Sequence, residues 1–125
     1  MSAPRLISTD TAPAPGGHYS QAVAVGDVIF TAGQVGLDPV TGEKAATFAG
    51  EVRQSLENLR AVLQSEGLEL TDVVRTMCLL TDTADFAEFN AIYAEVFGEH
   101  RPARSTFAVG LAGGFRFEIE AIASR

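Results

Sequence analysis

Pro102-Ala103-Arg104-Ser105-Thr106-Phe107-Ala108-Val109 and, beyond Gly110 to Gly114, Phe115-Arg116-Phe117-Glu118-Ile119-Glu120-Ala121-Ile122-Ala123 decide how this chain is built. Both flanks alternate with period 2 about a glycine-bearing turn, the pattern of a β-hairpin. On the first strand Arg104, Thr106 and Ala108 share one face, with Ser105, Phe107 and Val109 on the other. On the second, Phe115, Phe117, Ile119, Ala121 and Ala123 make an apolar face, and Arg116, Glu118 and Glu120 point oppositely. A guanidinium and two carboxylates thus stand on ordered strands, which hold charged groups accurately enough for a small anion site. The competing reading of the same pattern is a surface ion pair across the hairpin, worth at most about 1 kcal/mol.

Working outward, Met1 to Gly17 carries Pro4, Pro13 and Pro15 and reads as extended loop, with Arg5-Leu6-Ile7 a short strand. Strands follow at Ser20 to Val25 and Val28 to Ala32, split by Gly26-Asp27, which suits a tight turn. Leu37 to Gly42 has strong turn chemistry. From Thr47 to Glu66, Phe48, Val52, Leu56, Leu59 and Leu63 recur at spacings of three and four, predicting an amphipathic helix that stops at Gly67. Asp72 to Thr81 reads as a strand buried on both faces. A second helix follows an Asp82/Thr83 cap, carries Phe86, Phe89, Ile92, Tyr93, Val96 and Phe97, and ends at Gly98. The order predicts an α+β fold, one mixed sheet with both helices on one face, in a single domain spanning 1–125.

Composition narrows the function. A hydrophobic fraction of 46% and a charged fraction of 20% are those of an ordinary globular protein. The net charge is −7 and the basic residues are scattered apart from Arg101 and Arg104, which argues against nucleic acid as a partner. The single cysteine, Cys78, excludes an intramolecular disulfide and fits a reducing cytoplasm. No segment is apolar enough for a signal peptide or membrane span, so the expected setting is cytoplasmic, with no membrane partner. Two helices cover one sheet face only. Phe30, Ile29, Val74, Leu80, Phe107 and Phe117 cannot all lie beneath them, and an uncovered apolar face predicts a homo-oligomer.

Six segments occur in order: Gly16-Gly17-His18-Tyr19-Ser20-Gln21, Phe30-Thr31-Ala32-Gly33-Gln34, Asp38-Pro39-Val40-Thr41-Gly42, Phe89-Asn90-Ala91-Ile92-Tyr93, Pro102-Ala103-Arg104-Ser105 and Glu118-Ile119-Glu120-Ala121-Ile122-Ala123. Together they resemble the reactive-intermediate deaminase family (the RidA or YjgF group) over almost the full chain. The resemblance implies a chorismate-mutase-like fold and a homotrimer with sites in the clefts between subunits. It implies hydrolysis of 2-imino or 2-enamino acids to 2-oxo acids and ammonia, with neither cofactor nor metal. Position by position, it implies Arg104 as the clamp on the substrate carboxylate and Glu118 as the carboxylate that positions or activates water. Arg104 and Glu118 are the implied catalytic pair, and Tyr19, Gly33, Asn90 and Thr106 join Arg104 in substrate binding.

The chemistry suits these residue types. A guanidinium offers parallel donors to a planar carboxylate, as lysine does not. Glycine at 33 lets a backbone N–H approach a ligand, and Asn90 has both a donor and an acceptor. Glu120 shares the face of Glu118 and competes for its role. The sequence departs from the family pattern at His18 (usually proline), Ala32 (often serine), Thr106 (often cysteine) and in the shortened Gly110–Gly114 turn, which bears on substrate size. His18 beside Tyr19 is a candidate base, His100 reads as a helix-terminus charge, and Cys78 reads as inert core. Two functions stay open: an imine deaminase, and a non-catalytic trimer that binds a small carboxylate and signals to a partner.

Overall fold

In the computed structural model, which describes residues 3–125, the chain runs β1 (Arg5–Ile7), β2 (Ala22–Val25), β3 (Val28–Thr31), β4 (Gln34–Val35), α1 (Phe48–Gln64), β5 (Val73–Leu80), α2 (Phe86–Phe97), β6 (Ala103–Ala108) and β7 (Phe117–Ser124). All strands join one mixed sheet in the order β1-β2-β3-β7-β5-β6, with β4 also on β7. Met1 and Ser2 lie outside the described residues.

The alternation in β7 holds as expected: Phe117, Ile119, Ala121 and Ala123 are buried and the residues between them are not. The helices supply the cover. In α1 the stripe Val52, Leu56, Leu59 and Leu63 is fully buried, and Thr47 Oγ1 caps the first turn by accepting from Gly50 N at 3.0 Å. Each such side chain taken out of water contributes about 1.5–3 kcal/mol. Asp82 caps a short 3-10 turn that runs into α2, and Gly98, at φ +64°, ends it. From α2, Phe89 stacks at 5.1 Å on Phe117, which also meets Phe48 edge-on at 6.5 Å. The expected α+β architecture, a single mixed sheet with two helices, is what the chain adopts.

The expected hairpin is not. β6 and β7 do not pair, because β5 lies between them, parallel to β6 and antiparallel to β7. The connection crosses the end of β5, where Val109 N donates to Leu80 O and Thr81 N to Arg116 O. Its glycines at 113 and 114 take positive φ, which lets the chain turn over that end. Period-2 alternation identifies two strands without naming their neighbours, and the more apolar β5 is sheltered between them. β5 is also not buried on both faces. Val73, Thr76, Cys78 and Leu80 lie under the helices, while Val74 is 52% exposed. With Phe30 at 46% and Phe107 at 51%, the far face of the sheet is open and partly apolar. Ile29, Leu80 and Phe117, three of the residues thought to compete for cover, are buried. No helix of the described residues is long and apolar enough to cross a membrane.

β4, which the sequence did not disclose, is packed against α1. A Cβ on Gly36 would stand 2.5 Å from Glu51 Cα, which is helix backbone and cannot yield. Gly36→Ala is expected to cost about 1–3 kcal/mol and lower the melting temperature by roughly 5–15 °C. Gly110→Ala, where nothing lies within 4 Å, is the control expected to melt like the parent. Scanning calorimetry of the two variants checks it.

Candidate active site

The implied site residues fall into two groups. The first lies where α2 meets β6. Arg104 pairs in register with Thr76, on the covered side of the sheet, and its guanidinium carbon sits 4.8 Å from the ring centre of Tyr93 and 5.2 Å from that of Phe89. It makes no hydrogen bond or ion pair among the described residues. Asn90, which is exposed, joins Arg104, Tyr93, Phe97 and Arg101 around a cleft of about 300 Å³. Two residues along the strand, Thr106 shares this face, and its Oγ1 is buried with no partner among the described residues. With Leu80, Phe86 and Phe107 it lines a smaller recess of about 210 Å³.

The second group lies around β4 and β7. Glu118 pairs with Val35 of β4 and Leu79 of β5, one step along the pleat from the buried Ile119, so its side chain belongs to the open face. A Cβ on Gly33 would stand 2.6 Å from Glu118 Cδ, so glycine there makes room for this carboxylate. Gly33 and Tyr19 share a hollow of about 160 Å³ with Gln21, Gln34 and Phe115. Tyr19 is largely exposed, and its hydroxyl accepts from Gly16 N at 3.1 Å. Burial raises the Glu118 pKa above the usual glutamate value, and the charge of Glu120 adds to the shift. Within one chain the Arg104 charge does not offset this. The two groups face opposite sides of the sheet, and their strands β6 and β7, with β5 between them, run roughly 10 Å apart.

Three buried polar residues that the sequence reading passed over hold the loops of the second group. Gln21 accepts from Thr9 N at 2.7 Å and donates to the carbonyls of Thr9, Ala12 and Pro13, fixing the loop that leads to Tyr19. Asn58 Nδ2 donates to Val35 O and Leu37 O, both at 2.9 Å, and so fixes the segment after Gly33. Glu51, fully buried, accepts from Arg116 N at 2.8 Å and pairs with Arg116 Nε, just ahead of Glu118. A signal existed: Glu51, Ser55 and Asn58 lie on the apolar stripe of α1, where a polar side chain needs a buried partner.

The remaining candidates sit elsewhere. His18 is exposed. His100, expected as a helix-terminus charge, instead places Nε2 2.7 Å from Val73 O and so ties the segment after α2 to β5. Cys78 is buried, and burial pushes its thiol up to about 12. Among the described residues no group of three or more His, Cys, Asp or Glu side chains is arranged to hold a metal.

Residues 9–125 match the family described as Endoribonuclease L-PSP. The chain belongs to that family. It is 45% identical to a RutC family protein of Pyrococcus horikoshii, over 94% of this chain and 95% of the relative. It is 43% identical to the 2-iminobutanoate/2-iminopropanoate deaminase of Escherichia coli K12, over 97% of this chain and 98% of the relative. The crystal structure of E. coli TdcF with bound serine superposes with a TM-score of 0.93 at 39% identity, covering 97% of this chain and 98% of that one. The resemblance to the reactive-intermediate deaminases is therefore borne out, and members of this L-PSP family carry several functional names.

The raised Glu118 pKa makes a testable statement about stability. For an acid whose folded pKa is raised, the contribution to stability is fully present below the unfolded value, about 4.3, and is lost as pH rises through the folded value. Glu118→Gln removes that dependence. Melting temperatures of parent and variant are expected to shift in the variant's favour as pH rises from about 4 through that window. Parallel curves across the window would contradict the assignment.

Proposed function

We propose that this protein is a hydrolytic deaminase that converts reactive 2-imino and 2-enamino acids to 2-oxo acids and ammonia, acting in the cytoplasm as a homotrimer with sites between its subunits. The observation that carries the reading is the division of the implied residues. An arginine with no hydrogen-bond or ion-pair partner among the described residues faces one side of the sheet, and a carboxylate with a raised pKa faces the other. One small ligand reaches both only if a second copy brings its Glu118 to the first copy's Arg104. The open, partly apolar face is a surface on which copies would pack. The name carried by the E. coli deaminase supports the chemistry, and the serine bound to TdcF supports recognition of a small carboxylate by a protein of this fold.

In this reading Arg104 grips the substrate carboxylate through two parallel N–H donors. Glu118 takes a proton from water as the oxygen adds to the carbon of the protonated C=N bond, giving a neutral tetrahedral amino alcohol. It then returns that proton to nitrogen, the C–N bond breaks, and the hydroxyl proton passes to the departing ammonia, which leaves as ammonium as the carbonyl forms. An enamine enters after protonation at its β-carbon. Glu118 ends as it began, and such proton transfer contributes about 10²–10⁴-fold in rate. Burial and the Glu120 charge shift this carboxyl upward, which strengthens it as a proton acceptor, and the guanidinium of the neighbouring copy would act in the opposite direction. Asn90, Tyr19 and the Gly33 backbone would orient the nitrogen and the water, and Thr106 Oγ1 supplies an unused polar atom beside the substrate. The net charge of −7 weighs against RNA as the substrate. The serine in TdcF also fits the second reading, a carboxylate-binding regulator without turnover.

Arg104→Ala is expected to lose both turnover of 2-iminobutanoate generated in situ and calorimetric binding of 2-oxobutanoate, by roughly 10–100-fold, with lysine a poor substitute. Glu118→Gln is expected to keep that binding and lose about 10²–10⁴-fold in rate, with Glu120→Gln much less affected. Unchanged rates in both glutamate variants would favour the regulator. Co-refolding Arg104→Ala with Glu118→Gln chains should restore roughly a quarter of parental activity if each site draws on two copies of a ring, and none if each site lies in one chain.

A further inference from the structure

We propose that Tyr93 positions Arg104 for carboxylate capture, holding the guanidinium by its ring face so that every N–H donor stays available to the ligand. The inference rests on Arg104 being the carboxylate clamp. The arginines show what is unusual about it. Arg5 and Arg125 pair with Glu66, Arg53 with Glu95, Arg60 with Glu57 and Arg116 with Glu51, while Arg75 donates to Ser105 Oγ. Arg101 is exposed. Arg104 is half-buried, has no such partner among the described residues, and lies instead against Tyr93 at 4.8 Å, Phe89 at 5.2 Å and Phe86 at 5.8 Å.

The arrangement has a physical advantage. A protein carboxylate would hold Arg104 firmly but would occupy the donors that a ligand carboxylate needs. A ring face attracts the cation through its quadrupole and uses none of them. The platform is itself fixed. Tyr93 is buried and edge-packed on Phe89 at 5.6 Å, and its hydroxyl lies 2.8 Å from Thr76 Oγ1. Thr76 is fully buried on β5 and stands in register with Arg104 itself. Ring, tether and guanidinium therefore form a closed unit between α2 and the β5–β6 ladder.

The test separates the ring's electrostatics from its shape. Tyr93→Phe keeps the ring and removes the tether, and 2-oxobutanoate binding should weaken less than about threefold. Trifluorophenylalanine at 93 keeps nearly the same shape with a depleted ring face. It should weaken binding by a further 3–10-fold or so and raise KM in step, with kcat within about twofold of the phenylalanine form. A purely structural role would lower kcat through loss of active protein and leave the two ring forms alike. Equal Kd values for those two forms would overturn the inference, while loss of binding in Arg104→Ala would leave the functional reading intact. Full binding in Arg104→Ala would sink that reading and this inference together. If the fluorinated form at 93 does not fold, the same pair of residues at Phe86, which is 42% exposed, carries the comparison, with a smaller expected loss of about twofold and no loss counting against the proposal.

Discussion

The pleat of the β5–β7 ladder is the constraint on which the molecule depends. Successive side chains must leave a strand on opposite sides, so burying Phe117, Ile119 and Ala121 under the helices commits Glu118 and Glu120 to the far side. The same rule, applied through Thr76, commits Arg104 to the helix side. A slip of one residue would exchange every one of these assignments, sending carboxylates into the core and phenylalanines into solvent. The packing of Phe89 and Phe48 around Phe117 fixes this register, and the site inherits it.

Away from the ladder, accuracy comes from a different source. Tyr19 lies in irregular chain and Gly33 lies between two short strands, where backbone ladders offer little restraint. Gln21, Asn58 and Glu51 replace that restraint with side-chain bonds to backbone groups, in places closed to water. A typical bond of this kind contributes about 1 kcal/mol, and one left with a buried unpaired partner costs more. Loops held this way stay ordered without belonging to any sheet or helix.

Helices were the most legible part of the sequence because their signal is long and local. The stripe from Phe48 to Leu63 and the cap at Thr47 need no knowledge of the rest of the chain. Strand neighbours are not local information, which is why the alternation around Gly110–Gly114 suggested a hairpin where β5 in fact intervenes. β4 was hidden for a related reason: two residues are too few to show a period. The sequence led to the residues of both groups, Arg104 with Asn90 and Thr106, and Glu118 with Tyr19 and Gly33. It put Arg104 and Glu118 on the two strands of one hairpin, and the strand order shows those strands separated by β5 with the two side chains on opposite faces.

The burial of Cys78 has a practical consequence for work on this protein. Its thiol lies beneath the helices, and burial pushes its pKa up to about 12, so almost none of it is ionised near neutral pH. Maleimides and similar reagents act on the thiolate of an accessible sulfur, so the native chain offers them almost no target. A cysteine introduced on the surface would therefore carry a dye or spin label alone. The native residue could stay in place, filling the core volume that its removal would leave empty.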